Sequence, residues 1–343
     1  MIDDLKYIHQ KDGQDALGVA EKQWQQLAHS YTVSWQGAHA SKIENIVFAG
    51  MGGSALAALL STTWPAYDMP FEIVRTYDIP AYVGPNTLFI ASSYSGNTEE
   101  TLSALDQAGQ KDAQIAIISS GGALLERAEK RGYPVATLPT GLQPRYATLY
   151  NYKALATILD AAGITQNAAE TLESQAEFLQ HTVEQWRPDV PSKQNIAKQI
   201  ALDVVGKSPV IYAGPLLFPA AYKWKISFNE NAKNIAWCNQ LPEFNHNEFL
   251  GWSSHPVDKP YAVIDLRSSL DHPQVQKRFD ITAKLLSGKR PQPITVEAEG
   301  KDILEQLLWT VVLGDFVSLY TALLNGLNPT PVDLIEKLKK ELA

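Results

Sequence analysis

The strongest constraint on this chain is an order of elements that occurs twice. "NIVFAGMGGSALAALL" at 45–60 and "SPVIYAGPLLFPAA" at 208–221 both run apolar strand, Ala-Gly, apolar helix. A β-branched apolar run that breaks at glycine and continues as a helix is one half of a βαβ crossover. Around the first copy, "FEIVRTY", "TLFIA", "QIAIIS" and "YPVATLPT" read as further strands, with "TEETLSALDQA" and "GALLERAEKRG" as helices between them. Around the second, "YAVIDLRSS" and "QPITVEA" are strands, "HPQVQKRFDITAKLLSG" is a helix, and "ILEQLLWTVVLGDFVSLYTALLNGLN" is a long apolar helix. Strands alternating with helices imply α/β units with doubly wound parallel sheets. The repeat is weak, and only the first copy keeps a glycine-rich turn.

Four segments follow. Residues 1–40 are an N-terminal helical segment, and 41–150 are the first α/β unit. Residues 151–206 read as helices with a Pro-broken turn at "RPDVPSKQN", and 207–343 are the second unit, closed by a helix entered through Pro331. With 45% hydrophobic and 19% charged residues, 343 residues can build cores of this size. A net charge of −8 argues against a nucleic-acid surface but not against a small anion held locally. The single cysteine, Cys238, excludes an intrachain disulfide, the N-terminus lacks an apolar signal region, and no run approaches 18 apolar residues. A cytoplasmic protein without a membrane partner is expected.

The chemistry concentrates in two glycine-containing turns. "GMGGSA", Gly50 to Ala55, lies where strand meets helix, so backbone N–H groups and the Ser54 hydroxyl can converge on an anion. It also fits the dinucleotide pattern G-x-G-x-x-A. That reading wants an acidic residue near the end of the second strand, whereas Glu72 comes early, Arg75 sits inside the strand and Asp78 comes late. "SSYSGNTEE", Ser92 to Glu100, follows a buried-strand pattern and is rich in hydroxyls without a Lys, Arg or His. If the two strands are neighbours, both turns close on one phosphate, with Ser93, Ser95 and Thr98 as donors and Gly96 permitting the bend. Asn97 and Glu100 have the spacing of a capping box, which predicts a helix starting there.

"GMGGSA", "SSYSGNTEE", "GLQPRYA", "SFNENAKN", "PEFNHNEFLGW" and the "IEKLK" tail occur in the order found in bifunctional phosphoglucose/phosphomannose isomerases, which the chain resembles from about residue 40 onward. The resemblance implies two sugar isomerase (SIS) units and aldose–ketose isomerisation of glucose 6-phosphate, and of mannose 6-phosphate, to fructose 6-phosphate. It implies a cis-enediol route with no metal and no other cofactor. It places the substrate phosphate on Gly53, Ser54, Ser93, Ser95 and Thr98. It assigns catalysis to Arg145, Glu230, His246 and Lys339, with Lys337 the alternative register for the lysine. A family threonine falls on Val332, with Thr330 close by.

In that chemistry Glu230 is the base that moves a proton between C2 and C1. His246, a group that titrates near neutrality, serves ring opening or a proton relay. Arg145 stabilises the enediolate charge, and Lys339 donates to the ring oxygen. The resemblance further implies a homodimer in which His246 reaches the neighbouring subunit's site. The His residues are dispersed and show no metal-ligand spacing. Two other classes remain open: a non-catalytic phosphosugar-binding protein on the same fold, and a nicotinamide-dependent enzyme.

Overall fold

A computed structural model describes residues 1–35, 42–254 and 258–342; parts of the expected 1–40 and 41–150 segments, at 36–41, lie outside the described residues. The chain forms two compact units. The first is Gln23–Glu177, and the second combines Met1–Lys22 with Phe178–Ala343.

The first unit is built on five parallel strands: β1 (Asn45–Gly50), β2 (Phe71–Val74), β3 (Thr87–Ser93), β4 (Gln114–Ser119) and β5 (Val135–Thr137). Their order is β2-β1-β3-β4-β5. Strand β3 is buried along its whole length, as its unbroken apolar run requires of a central parallel strand. The Glu99–Gln110 helix packs on β1 and β3, Gly122–Arg131 on β4, and Thr148–Ala161 on β4 and β5. The order reverses direction between β1 and β3. In an open α/β sheet that is where the crevice at the strand ends forms. Because Gly50 pairs with Ser92, the two turns singled out above leave the sheet side by side.

The second unit repeats the plan with β6 (Ser208–Ala213), β7 (Trp237–Gln240), β8 (Tyr261–Arg267) and β9 (Ile294–Glu297), all parallel in the order β7-β6-β8-β9. Strand for strand this matches the first four of the other sheet, so the weak repeat is a real repetition of topology. Strand β7 has no counterpart in the sequence reading. It is short, sits at the sheet edge and is half-buried, so it carries no apolar run. The Ile303–Leu324 helix lacks a polar face because it is buried nearly end to end. It packs against Ile196–Val204, Phe218–Ser227 and the N-terminal Ala16–Glu21 helix. The helical stretch between the sheets divides: Thr148–Ala161 and Ala168–Ser174 lie in the first unit, and Ile196–Val204 lies in the second.

The N-terminal segment divides at Lys22: Gln23 onward belongs to the first unit, and Met1–Lys22 is held in the second by packing and polar contacts. The Asp12 carboxylate accepts from the N–H groups of Ala16 and Leu17 at 2.8 and 2.9 Å. Tyr7 donates to the Leu323 carbonyl at 2.7 Å. The fully buried Lys198 ammonium donates to Asp3 and to the carbonyls of Pro188 and Val190.

Candidate active site

In the first unit the two turns interlock. After β1 the chain enters a tight 3-10 turn, Gly52–Ala55, with Gly52 at φ 48°. Ser54 is buried, and its hydroxyl accepts from the Tyr94 N–H at 3.0 Å, which ties this turn directly to the loop after β3. Within that loop Ser93 Oγ lies 2.8 Å from Thr98 Oγ1 and 3.5 Å from Ser95 Oγ. Ser93 Oγ also accepts from the Gly96 N–H at 3.1 Å. Alternation along the strand separates the paired serines: Ser92 turns inward to Asn151 at 3.3 Å, and Ser93 joins the hydroxyl cluster. Ser95 is exposed and Thr98 half-buried, so the cluster grades from the core to the surface.

The expected capping box does not form. Thr98, not Asn97, is the N-cap residue of Glu99–Gln110, and no side chain caps that helix. The Asn97 amide oxygen instead accepts from the Ala123 N–H at 3.0 Å, in the first turn of the Gly122–Arg131 helix. The consequence favours an anion. The first-turn N–H groups of the helix receive no side-chain cap, and the positive end of its dipole lies beside the hydroxyl cluster.

Two glycines are required by close approach. A Cβ on Gly96, at φ 73°, would lie 1.8 Å from the Gly121 carbonyl oxygen. A Cβ on Gly53 would lie 2.8 Å from the Pro144 carbonyl carbon and 2.9 Å from the Arg145 nitrogen. The absence of a Cβ at Gly53 lets the Pro144–Arg145 backbone pack on the Gly52–Ala55 turn.

Arg145 itself is 1% exposed, unlike a surface residue after a proline turn. Its guanidinium lies 4.4 Å from the Tyr146 ring centroid and donates to the Tyr146 hydroxyl at 3.2 Å. The Gln26 amide braces the same segment, donating to the Tyr146 carbonyl at 2.7 Å and accepting from the Tyr150 N–H at 3.0 Å.

The other candidates lie in the second unit. Glu230 sits in a π-helical turn, Phe228–Ala232, that continues the Phe218–Ser227 helix; such turns are frequent at functional sites. It is half-buried. The turn rests on buried polar contacts: Lys223, Ser227 and Asp315 bond to one another, and Asn231 donates to Ser318 at 2.9 Å. Lys233 closes the turn at φ 54°, and its ammonium donates to the carbonyls of Asn231, Asn328 and Pro329 at 2.9–3.2 Å. The Glu230 turn is thereby fastened to the segment that leads into the C-terminal helix.

His246 ends a 3-10 turn, Glu243–His246, and is exposed. Its neighbours hold the turn: Phe244 is buried, and Asn245 accepts from Arg278 at 3.1 Å and donates to Thr282 at 2.9 Å. Lys339 is exposed on the Asp333–Leu342 helix and pairs with Glu336 at 3.5 Å; Lys337 is exposed on the same helix. Thr330 is buried near the foot of that helix, and Val332 is half-buried.

The structure thus gathers Gly53, Ser54, Ser93, Ser95, Thr98 and the Arg145 backbone in one unit. It places Glu230, His246 and Lys339 on three separate segments of the other. Tyr94 and Asn97 were missed as organising residues; the tyrosine inside a hydroxyl-rich loop was the available signal. Among the described residues no three His, Cys, Asp or Glu side chains gather as metal ligands. The polar atoms that do converge are hydroxyls and N–H groups, a donor set matched to an oxyanion.

Comparison with known proteins bears on the family and the fold. A family profile described as the bacterial phospho-glucose isomerase C-terminal SIS domain matches residues 193–342. A bifunctional phosphoglucose/phosphomannose isomerase from Caldicellulosiruptor bescii is 38% identical over 308 residues, covering 89% of this chain and 91% of the relative. One from Aquifex aeolicus is 35% identical over 302 residues, covering 87% and 90%. Among solved structures, a glucose-6-phosphate isomerase like protein from Thermus thermophilus superposes with a TM-score of 0.66 at 18% identity, covering 99% of this chain and 98% of that one, a likeness of fold. With relatives this similar along nearly their whole length, the chain belongs to the bifunctional phosphoglucose/phosphomannose isomerase family.

Proposed function

We propose that the protein interconverts glucose 6-phosphate and mannose 6-phosphate with fructose 6-phosphate, without a metal, through a cis-enediolate. The observation that carries this reading is the pair of interlocked turns at the adjacent ends of β1 and β3, held together by the Tyr94 N–H to Ser54 bond. Neutral hydroxyls and helix N–H groups bind a phosphate dianion there without a cation, and cations elsewhere are left for the chemistry.

In the forward direction Glu230 takes the proton from C2 of the open-chain aldose. The electron pair forms the C1–C2 double bond, and O1 becomes the enediolate oxygen. Glu230 returns the proton to C1 while the O2 hydroxyl gives up its proton to O1, so O2 becomes the ketone and O1 the hydroxyl, and the substrate is isomerised with no net loss of proton or electron. Arg145 stabilises the enediolate charge, and Lys339 protonates the ring oxygen as the sugar opens. The exposure of His246 fits a homodimer in which His246 of the partner subunit completes the site. The single cysteine is compatible with a cytoplasmic enzyme.

The test is to incubate purified protein with fructose 6-phosphate in chelator, with no nucleotide. Formation of both glucose 6-phosphate and mannose 6-phosphate is expected. Tight binding without turnover would overturn the reading in favour of a sensor protein.

A further inference from the structure

We infer that Tyr94 is a positioning residue that couples the phosphate cradle to Arg145. The inference rests on the proposed roles of both. Tyr94 is 8% exposed and bonds to three other segments of the first unit. Its N–H donates to Ser54 Oγ at 3.0 Å, in the turn after β1. Its carbonyl accepts from the Ser120 N–H and hydroxyl at 3.1 and 2.5 Å, in the loop after β4. Its phenol donates to the Pro139 carbonyl at 2.8 Å and accepts from the Leu142 N–H at 3.0 Å, in the loop after β5.

The last pair of bonds spans the bend at Gly141, φ 93°, just ahead of Pro144 and Arg145. Two fasteners act on the approach to Arg145 from the turns described above, beside the Gln26 and Tyr146 contacts. One is the Tyr94 phenol at 139 and 142, and the other is the contact of the Pro144–Arg145 backbone with Gly53. Both fasteners begin in the turns that form the cradle. A phosphate that orders the Ser54 and Ser93–Thr98 segments also orders Tyr94, and through its phenol the approach to Arg145. Its Ser54 bond lies on the backbone and its Arg145-side bonds on the side chain, so a substitution separates the two functions.

Tyr94→Phe keeps the ring, the backbone bonds and the cradle, and deletes both phenol bonds. With fructose 6-phosphate as substrate, kcat is expected to fall about tenfold while the inhibition constant of inorganic phosphate stays within about twofold. In an Arg145→Lys background the same change is expected to cost less than about twofold, because it acts through the residue already altered. An unchanged kcat in Tyr94→Phe, an equal loss in both backgrounds, or a phosphate constant that worsens as much as kcat would each overturn the coupling.

An Arg145→Gln variant with wild-type kcat would instead overturn the role of Arg145, separately from Tyr94. Should Tyr94→Phe fail to fold, hydrogen exchange of the Leu142 N–H in the wild-type protein decides. Added inorganic phosphate is expected to slow it, and an unchanged rate would overturn the inference.

Discussion

The two strand–turn–helix crossovers that repeat in this chain end differently at the glycine. In the first unit a Cβ on the Ala-Gly glycine, Gly50, would meet the Ser92 carbonyl oxygen at 3.0 Å, and two residues on a Cβ on Gly52 would meet nothing within 4 Å among the described residues beyond its chain neighbours. In the second unit a Cβ on Gly214 would lie 2.1 Å from the Asp271 carboxylate. The Leu216 N–H, in that same turn, donates to Asp271 at 3.4 Å. The second crossover thus encloses an anion of its own, buried to 3% exposure, with burial pushing the Asp271 carboxyl above its usual range. Under the proposed reading the first turn is open to the substrate phosphate, whereas the second is occupied by a carboxylate of its own chain.

The largest expected effect separates the phosphate binding proposed for the first unit from the proton transfer proposed for Glu230 in the second. Glu230→Gln should lower kcat about a thousandfold and abolish exchange of the C2 proton with solvent, with the inorganic phosphate inhibition constant unchanged. Isomerisation at near wild-type rate would remove Glu230 as the base and with it the division of labour.

Next comes pH. The second unit contains carboxyls raised by burial, Asp265 among them at about 6, where desolvation outweighs the nearby Arg290 and Arg267. A raised folded-state value means that the folded protein binds this proton more tightly than the unfolded chain. The contribution of Asp265 to stability is therefore greatest below the unfolded value near 4 and is lost as pH rises through about 6. The loss is roughly 3 kcal/mol. Unfolding of wild type and Asp265→Asn measured at about pH 4.5 and about pH 7.5 should show the wild type losing about 2 kcal/mol relative to the variant, the part of the full loss that falls between those two pH values. A gap independent of pH would refute it.

The turns themselves can be compared by one substitution each. Gly214→Ala should cost about 3 kcal/mol, because the methyl group meets a buried carboxylate. Gly52→Ala should cost about 1 kcal/mol, the left-handed backbone alone. Equal costs in denaturant unfolding would mean that the second turn is not filled in the way the contacts indicate.

The smallest effect lies within the cradle. Ser93→Ala removes the hydroxyl at the centre of the cluster and should weaken inorganic phosphate about tenfold. Ser95→Ala, at an exposed position, should weaken it about threefold or less. The reverse ranking would place the anion further out along the loop.

Much of this was legible in the sequence because parallel strands buried on both faces must be continuous apolar runs, and "NIVFAG", "TLFIA" and "QIAIIS" are such runs. Strand β7, "WCNQ", was not legible, since an edge strand with a half-exposed face needs no such pattern. The hydroxyl cluster was visible from residue type alone. The Asn97 cap failed because local spacing cannot reveal that Ala123, in the first turn of the Gly122–Arg131 helix, takes the same amide oxygen. "GLQPRYA" has loop composition, so the burial of Arg145 was invisible; it depends on Gly53 letting another segment approach. "SFNENAKN" reads as helix, and the π-helical turn that re-aims Glu230 depends on contacts with the Ile303–Leu324 helix.

The bond from Tyr7 to Leu323 joins residues 316 positions apart. In chain terms, Gln23–Glu177 is an insertion within a unit assembled from both ends of the sequence. During synthesis the inserted unit is complete while the N-terminal helices still lack the core helix they pack against. The unit that holds the Ser54 and Ser93–Thr98 turns can therefore fold early and locally, whereas the unit that bears Glu230 must close a loop of 316 positions, the slow step that such long-range contacts impose.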